Sequence, residues 1–359
     1  MIQRQRLPFL MMALVTLVAG LWAGLVRIGW NLPAAAQAPL AAHGPLMVVG
    51  FVGTVIGLER AVALGQKWAY AAPLLTALGG ISLLAAPASI VGPALMTSGS
   101  AVFVVVMATL ARRQVGPVML IMGVGAACWV AGNLLWLSGW PVYRVVLWWA
   151  VFPVLTISAE RLELSRFVNI PRSAFSVLYG AVLLTVTGLV AAGTRPDLGT
   201  RLAAAGLLAM ALWLLRYDVA RRRLGEPGLP RFVAVGLILG YLWMLVAGSV
   251  QLVSGQASSG YAYDAAYHAL FLGFVFSMIF VHAPIVFPSV TGVDIPFRRI
   301  FYGHLVLLHG SLLLRVAGDV RVWLPWRQWG ALLNAAAIVL FFLVTVFTAA
   351  SGAMSSRRS

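Results

Sequence analysis

Five histidines give this sequence its widest chemical reach: His43, His268, His282, His304 and His309. Each falls inside or at the edge of a long apolar run, and none lies in a polar loop. An ionisable side chain inside a bilayer is expensive, which makes it a functional candidate by default. Neutral imidazole ligates iron and copper, and with a single cysteine, Cys128, the chain can form neither a thiolate cluster nor an internal disulfide. Cys128 itself reads as a small buried hydrophobe. Counted along helices, His43 and His268 sit at one membrane edge, each within about 10 Å of the surface. A pair at equal depth on two helices could clamp a b-type haem from both faces. His282 follows His268 by fourteen residues, which on an α-helix returns it to within about 40° of the same face. The same count puts it about 21 Å further along. His304 falls in the same half as His282, and His309 about 7.5 Å nearer the middle. His282 with His304 or His309 is a candidate second ligand pair, copper included, with structural hydrogen bonding as the competing reading.

The elements that must position these residues are membrane spans. Of 359 residues, 62% are hydrophobic and 9% charged, with mean hydropathy +0.96. A soluble domain carries about 25% charged residues, so the bilayer is the solvent that tolerates this composition. Apolar runs of spanning length recur at 8–30, 43–64, 69–86, 90–111, 116–138, 141–159, 174–193, 200–217, 232–254, 264–287, 300–317 and 327–350. The chain therefore reads as an all-α membrane protein of about twelve spans, one polytopic domain over 1–359. The run from Leu7 to Trp30, trailed by Ala34-Ala35-Ala36, is too long for a signal peptide and reads as the first span.

The net charge of +16 reflects where the basic residues fall. The N-terminus, the loops after even-numbered spans and the C-terminus take 18 of 25, among them Arg4, Arg6, Arg112, Arg113, Arg166, Arg221, Arg222, Arg223, Arg357 and Arg358. The other side holds Arg27, Arg144, Arg195, Arg201, Arg315, Arg321 and Arg327. The positive-inside rule places both termini in the cytoplasm of a bacterial cell, with the chain in the inner membrane and the lipid bilayer as its first partner. There is no nucleotide loop, zinc spacing or nucleophile arrangement, and nucleic acid is not an expected partner.

Three local readings accompany this plan. Gly50, Gly53 and Gly57 form a small-residue stripe on the second span that suits close helix packing. Glu59-Arg60 and Glu160-Arg161 read as interfacial ion pairs, and no carboxylate reads as deep in the membrane. In the tenth span Asp264 reads as a helix-start signal, and Pro284 and Pro288 as a kink or an end.

Twelve spans, with His43 opening the second and His268 opening the tenth, resemble the catalytic subunit of haem–copper oxidases. The segment His43-Gly44-Pro45-Leu46-Met47-Val48-Val49-Gly50-Phe51 and the segment Tyr267-His268-Ala269-Leu270-Phe271-Leu272-Gly273 resemble the NnrS family, membrane haem-and-copper proteins linked to nitric oxide metabolism. The resemblance implies an oxidase-like bundle with His43 and His268 as ligands of a low-spin haem b. It also implies Arg315, Arg321 and Arg327 as partners of the haem propionates, an arginine fork being suited to carboxylate. Interfacial anchoring beside Trp323, Trp326 and Trp329 is the competing reading of those arginines. Ala266 stands where the oxidases place a further histidine, and spans six and seven carry none, so the oxygen-reducing binuclear site is absent. The expected role is electron transfer or nitric-oxide-linked chemistry, with a quinol or cytochrome as electron donor, within a larger membrane complex or alone. A multi-pass transporter with structural histidines is the alternative.

Overall fold

The computed structural model describes residues 3–33, 40–164 and 170–355. Arg166, Arg357, Arg358, the Ala34-Ala35-Ala36 run and the side chain of Arg4 lie outside the described residues. Among the described residues the chain is helical with no strand. Twelve helices are long and apolar enough to cross a membrane: α1 (Leu7–Arg27), α2 (Pro45–Leu64), α3 (Lys67–Ala85), α4 (Val91–Arg113), α5 (Pro117–Leu137), α6 (Val142–Leu164), α7 (Arg172–Ala191), α8 (Pro196–Tyr217), α9 (Leu229–Ser254), α10 (Gly260–Thr291), α11 (Phe301–Val320) and α12 (Leu324–Ser351). Prolines stand in the first turns of α1, α2, α5, α8 and α9, where the missing N–H has no intrahelical acceptor to lose. Pro284 and Pro288 do not end α10, which runs on to Thr291. Each proline removes one backbone bond, a loss that packing against neighbouring helices can absorb.

These helices form two compact units, one of Met1–Ala159 with Ser289–Gly292 and one of Glu160–Pro288 with Val293–Ser359. In lipid, helices gain little from hiding apolar surface, so close approach and polar ties hold them together. In the first unit Thr16 of α1 fills the space that Gly50 of α2 and Gly80 of α3 leave open. Asn133 of α5 donates to Ser100 Oγ of α4 at 2.9 Å. Trp129 stacks on Phe152 at 4.5 Å between ring centroids, and Phe103 meets both edge-on. In the second unit the backbones of α7 and α8 nearly touch: a Cβ on Gly188 would lie 2.3 Å from Ala203 N.

Three of the twelve spans are not α-helical throughout: α3 opens with a 3-10 turn at Lys67–Tyr70, and two others contain π-helix. Pro45–Gly53 of α2 and Ala269–Phe276 of α10 are π-helix. Each follows a histidine by one or two residues, and each contains the same string, Gly50-Phe51-Val52 in one and Gly273-Phe274-Val275 in the other. A π-turn takes about one residue more than an α-turn. The α-helical count from His268 to His282 therefore fails, and the two rings do not share a face by that arithmetic.

Candidate functional site

His43 precedes the π segment of α2, in the first unit. Its Nδ1 lies 2.7 Å from Gly20 O of α1. A carbonyl only accepts, so Nδ1 carries the proton and Nε2 the lone pair. The ring rests on the Gly20–Gly24 face of α1. A Cβ on Gly24 would fall 2.7 Å from His43 Cε1, and one on Gly20 would fall 2.7 Å from the Met47 sulfur. Only glycine fits beneath the imidazole, and this close approach is what the sequence left unread. Gly24→Leu is expected to dislodge the ring and to cost about 1–3 kcal/mol through overpacking. The comparison is Gly123→Leu, at a position with open space around it. Equal melting temperatures of the two variants in detergent would mean that the seat is not needed.

His268, in the second unit, also directs Nδ1 at a backbone carbonyl, here one turn back on its own helix. Its Nδ1 lies 2.9 Å from Asp264 O and 3.3 Å from Asp264 Oδ1. Asp264 is not a start signal, since α10 begins one turn earlier at Gly260 and the carboxylate is buried. It accepts both Nε and a terminal nitrogen of Arg315, at 2.7 and 2.8 Å. Arg327 approaches its Oδ1 at 3.2 Å and places Nε 3.0 Å from Asp319 Oδ1. The Arg327 guanidinium also lies over the Tyr261 ring at 5.0 Å. Two of the arginines expected to hold propionates are thus engaged by the chain's own carboxylates, and Arg321 is exposed. Asp319 was not singled out in the sequence. Its signal was there: it follows Arg315 by four residues, on the same face of α11.

The other three histidines separate by their partners. His282 holds Nδ1 at 2.9 Å from Met278 O, so it too presents Nε2 as the acceptor nitrogen. It lies within electrostatic reach of Arg161 and Asp218. His309 uses both nitrogens. Trp243 Nε1–H donates to Nδ1 at 2.9 Å, and Nε2 meets Ser277 Oγ at 3.3 Å. The Ser277 hydroxyl in turn donates to Gly236 O at 2.8 Å. This chain ties α9, α10 and α11 together and leaves His309 no nitrogen for a metal. His304 is fully buried with neither nitrogen hydrogen-bonded, and Phe232, Phe280, Phe301 and Phe341 surround it, all edge to face. Among the described residues no group of three or more His, Cys, Asp or Glu could hold a metal ion, so His282, His304 and His309 do not form such a group together.

Twelve spanning helices with buried, ion-paired polar groups define a polytopic membrane protein. Within that class the chain belongs to the family of domain of unknown function DUF8744, which matches residues 6–350. No curated protein and no solved structure matches the chain.

Proposed function

We propose that this is a haem-binding protein of the bacterial inner membrane, its termini cytoplasmic, in which His43 and His268 ligate b-type haem iron near the periplasmic face. One observation carries the reading. The two histidines that open π-helical segments also have Nδ1–H held by a backbone carbonyl, which is how proteins orient an imidazole toward a metal. Haem supplies one-electron chemistry, and these residues bind and orient it. Gly20 fixes the tautomer of His43, and Asp264 fixes that of His268. The resemblance to haem–copper oxidases and to the NnrS family supports the same assignment. The absent binuclear histidines point to electron transfer or nitric-oxide-linked chemistry rather than oxygen reduction. A quinol or a cytochrome is the electron donor, and His282 is the remaining candidate for copper.

The test is a reduced-minus-oxidised spectrum of the purified chain with a pyridine haemochrome count. Wild-type protein is expected to carry b-type haem, His43→Ala and His268→Ala each to lose it, and His309→Phe to keep it. A featureless spectrum from folded wild-type protein, or full haem in both alanine variants, would remove the assignment and favour transport.

A further inference from the structure

The chain treats its buried tryptophan N–H groups in two ways. In the second unit Trp213 donates to Ala174 O at 2.7 Å and Trp243 to His309 Nδ1 at 2.9 Å. In the first unit Trp129 of α5 and Trp149 of α6 are at least as buried, and neither indole N–H has an acceptor. The rings that meet them edge-on, Phe103 and Trp136, offer no lone pair. An indole nitrogen can only donate, and a buried donor left unsatisfied is costly. Two more unpaired groups stand near them. Asn133, one turn after Trp129 on α5, gives its amide nitrogen to Ser100 Oγ, while its Oδ1 accepts nothing. Thr54 of α2 has an unpaired hydroxyl, although buried threonines elsewhere in the spans, such as Thr76, Thr156 and Thr185, donate to the carbonyl four residues back. Contacts with α5 and α2 place the indoles. A Cβ on Gly132, the neighbour of Asn133, would fall 3.0 Å from Trp149 Nε1. One on Gly53, the neighbour of Thr54, would fall 3.3 Å from Trp129 Cε2, the carbon that carries Nε1.

We propose that the first unit binds ordered water between α2, α5 and α6, which takes hydrogen bonds from the indole N–H groups of Trp129 and Trp149 and gives one to Asn133 Oδ1. The unpaired groups select the ligand. Two of them need an acceptor and one needs a donor, and a buried water makes about three hydrogen bonds of both kinds. A metal cation cannot use an N–H. An anion would take the indole protons and leave Asn133 Oδ1 unpaired. Thr54 Oγ1 can donate or accept, and it directly follows the π segment of α2, which ends at Gly53. Irregular backbone at membrane depth is tolerated where it is buried in protein or lines water, and π-turns are frequent at functional sites. A hydrated polar site among spans gives protons or small polar molecules a resting place inside the bilayer. The proposal does not depend on haem.

Hydroxyl-radical labelling of the full chain in bilayers, with the radicals made from water by X-ray pulses, tests it. Such radicals react close to where they form, so a buried side chain is oxidised only beside bound water. Trp129 and Trp149 are expected to be oxidised several-fold faster than Trp213, which is similarly buried but has its N–H paired inside the protein. The same ratio is expected in a halide-free buffer. Oxidation of Trp129 and Trp149 no faster than that of Trp213 overturns the proposal. So does a ratio that rises only when halide is removed, since an anion would then be the occupant.

Discussion

Replacing Asp218 with alanine is expected to cost about 3–5 kcal/mol, because it removes the bidentate carboxylate partner of a buried guanidinium. Asp218 is the first residue after α8, with extended backbone. Its Oδ2 accepts Arg161 Nε at 2.7 Å and Tyr241 Oη at 3.1 Å. Its Oδ1 accepts a second Arg161 nitrogen at 3.0 Å and the Ala220 backbone N–H at 2.6 Å. Both Arg161 and Asp218 are 4% exposed, so water cannot take over when the carboxylate goes. Buried pairs are often replaceable as a pair by apolar residues, while loss of one partner is not tolerated. Denaturant-induced unfolding in mixed micelles should therefore show the large loss in Asp218→Ala and recovery of most of it in Asp218→Leu with Arg161→Met. A single-variant loss below about 1 kcal/mol, the range of exposed ion pairs, would show that the network is wet and weak.

Arg161 also shows where sequence reading stops. The spans were legible because the bilayer sets a length and a composition that few alternatives satisfy. All twelve fall within five residues of their expected places; α6 runs on to Leu164, and α10 starts at Gly260 and outruns Pro288. Partner choice across helices was not legible: Arg161 has a bidentate acceptor, Asp218, 57 residues along the chain. Glu59 and Arg60 do pair, at 3.3 Å, since adjacency at a helix end suffices there. The histidines were found by type alone, whereas their sorting depended on contacts across helices: Gly20 under His43, Trp243 and Ser277 around His309, four phenyl rings around His304. The π segments escaped as well. Periodicity arguments assume 3.6 residues per turn, and an all-apolar stretch such as Ala269–Phe276 has no polar face to betray another period.

Asp264→Ala should be the most damaging change in the second unit. The carboxylate it removes is shared by Arg315, Arg327 and the Nδ1 of His268. Arg315 is 7% exposed and pressed against Gly330, where a Cβ would come within 2.6 Å of its backbone nitrogen, so it has no room to swing toward water. Leaving that charge unpaired costs about 3–5 kcal/mol, and the half-buried Arg327 adds to it. Arg315→Met in the Asp264→Ala background should return part of the loss. The coupling between the two sites is expected at about 0.5–3 kcal/mol, as for residues within one hydrogen-bond network. His268 would keep its carbonyl partner at 2.9 Å, so the histidine's tautomer survives while its carboxylate contact does not. If unfolding measurements found Asp264→Ala mild, the guanidiniums would have to be solvated, and the buried end of this unit could not hold charge as its geometry requires.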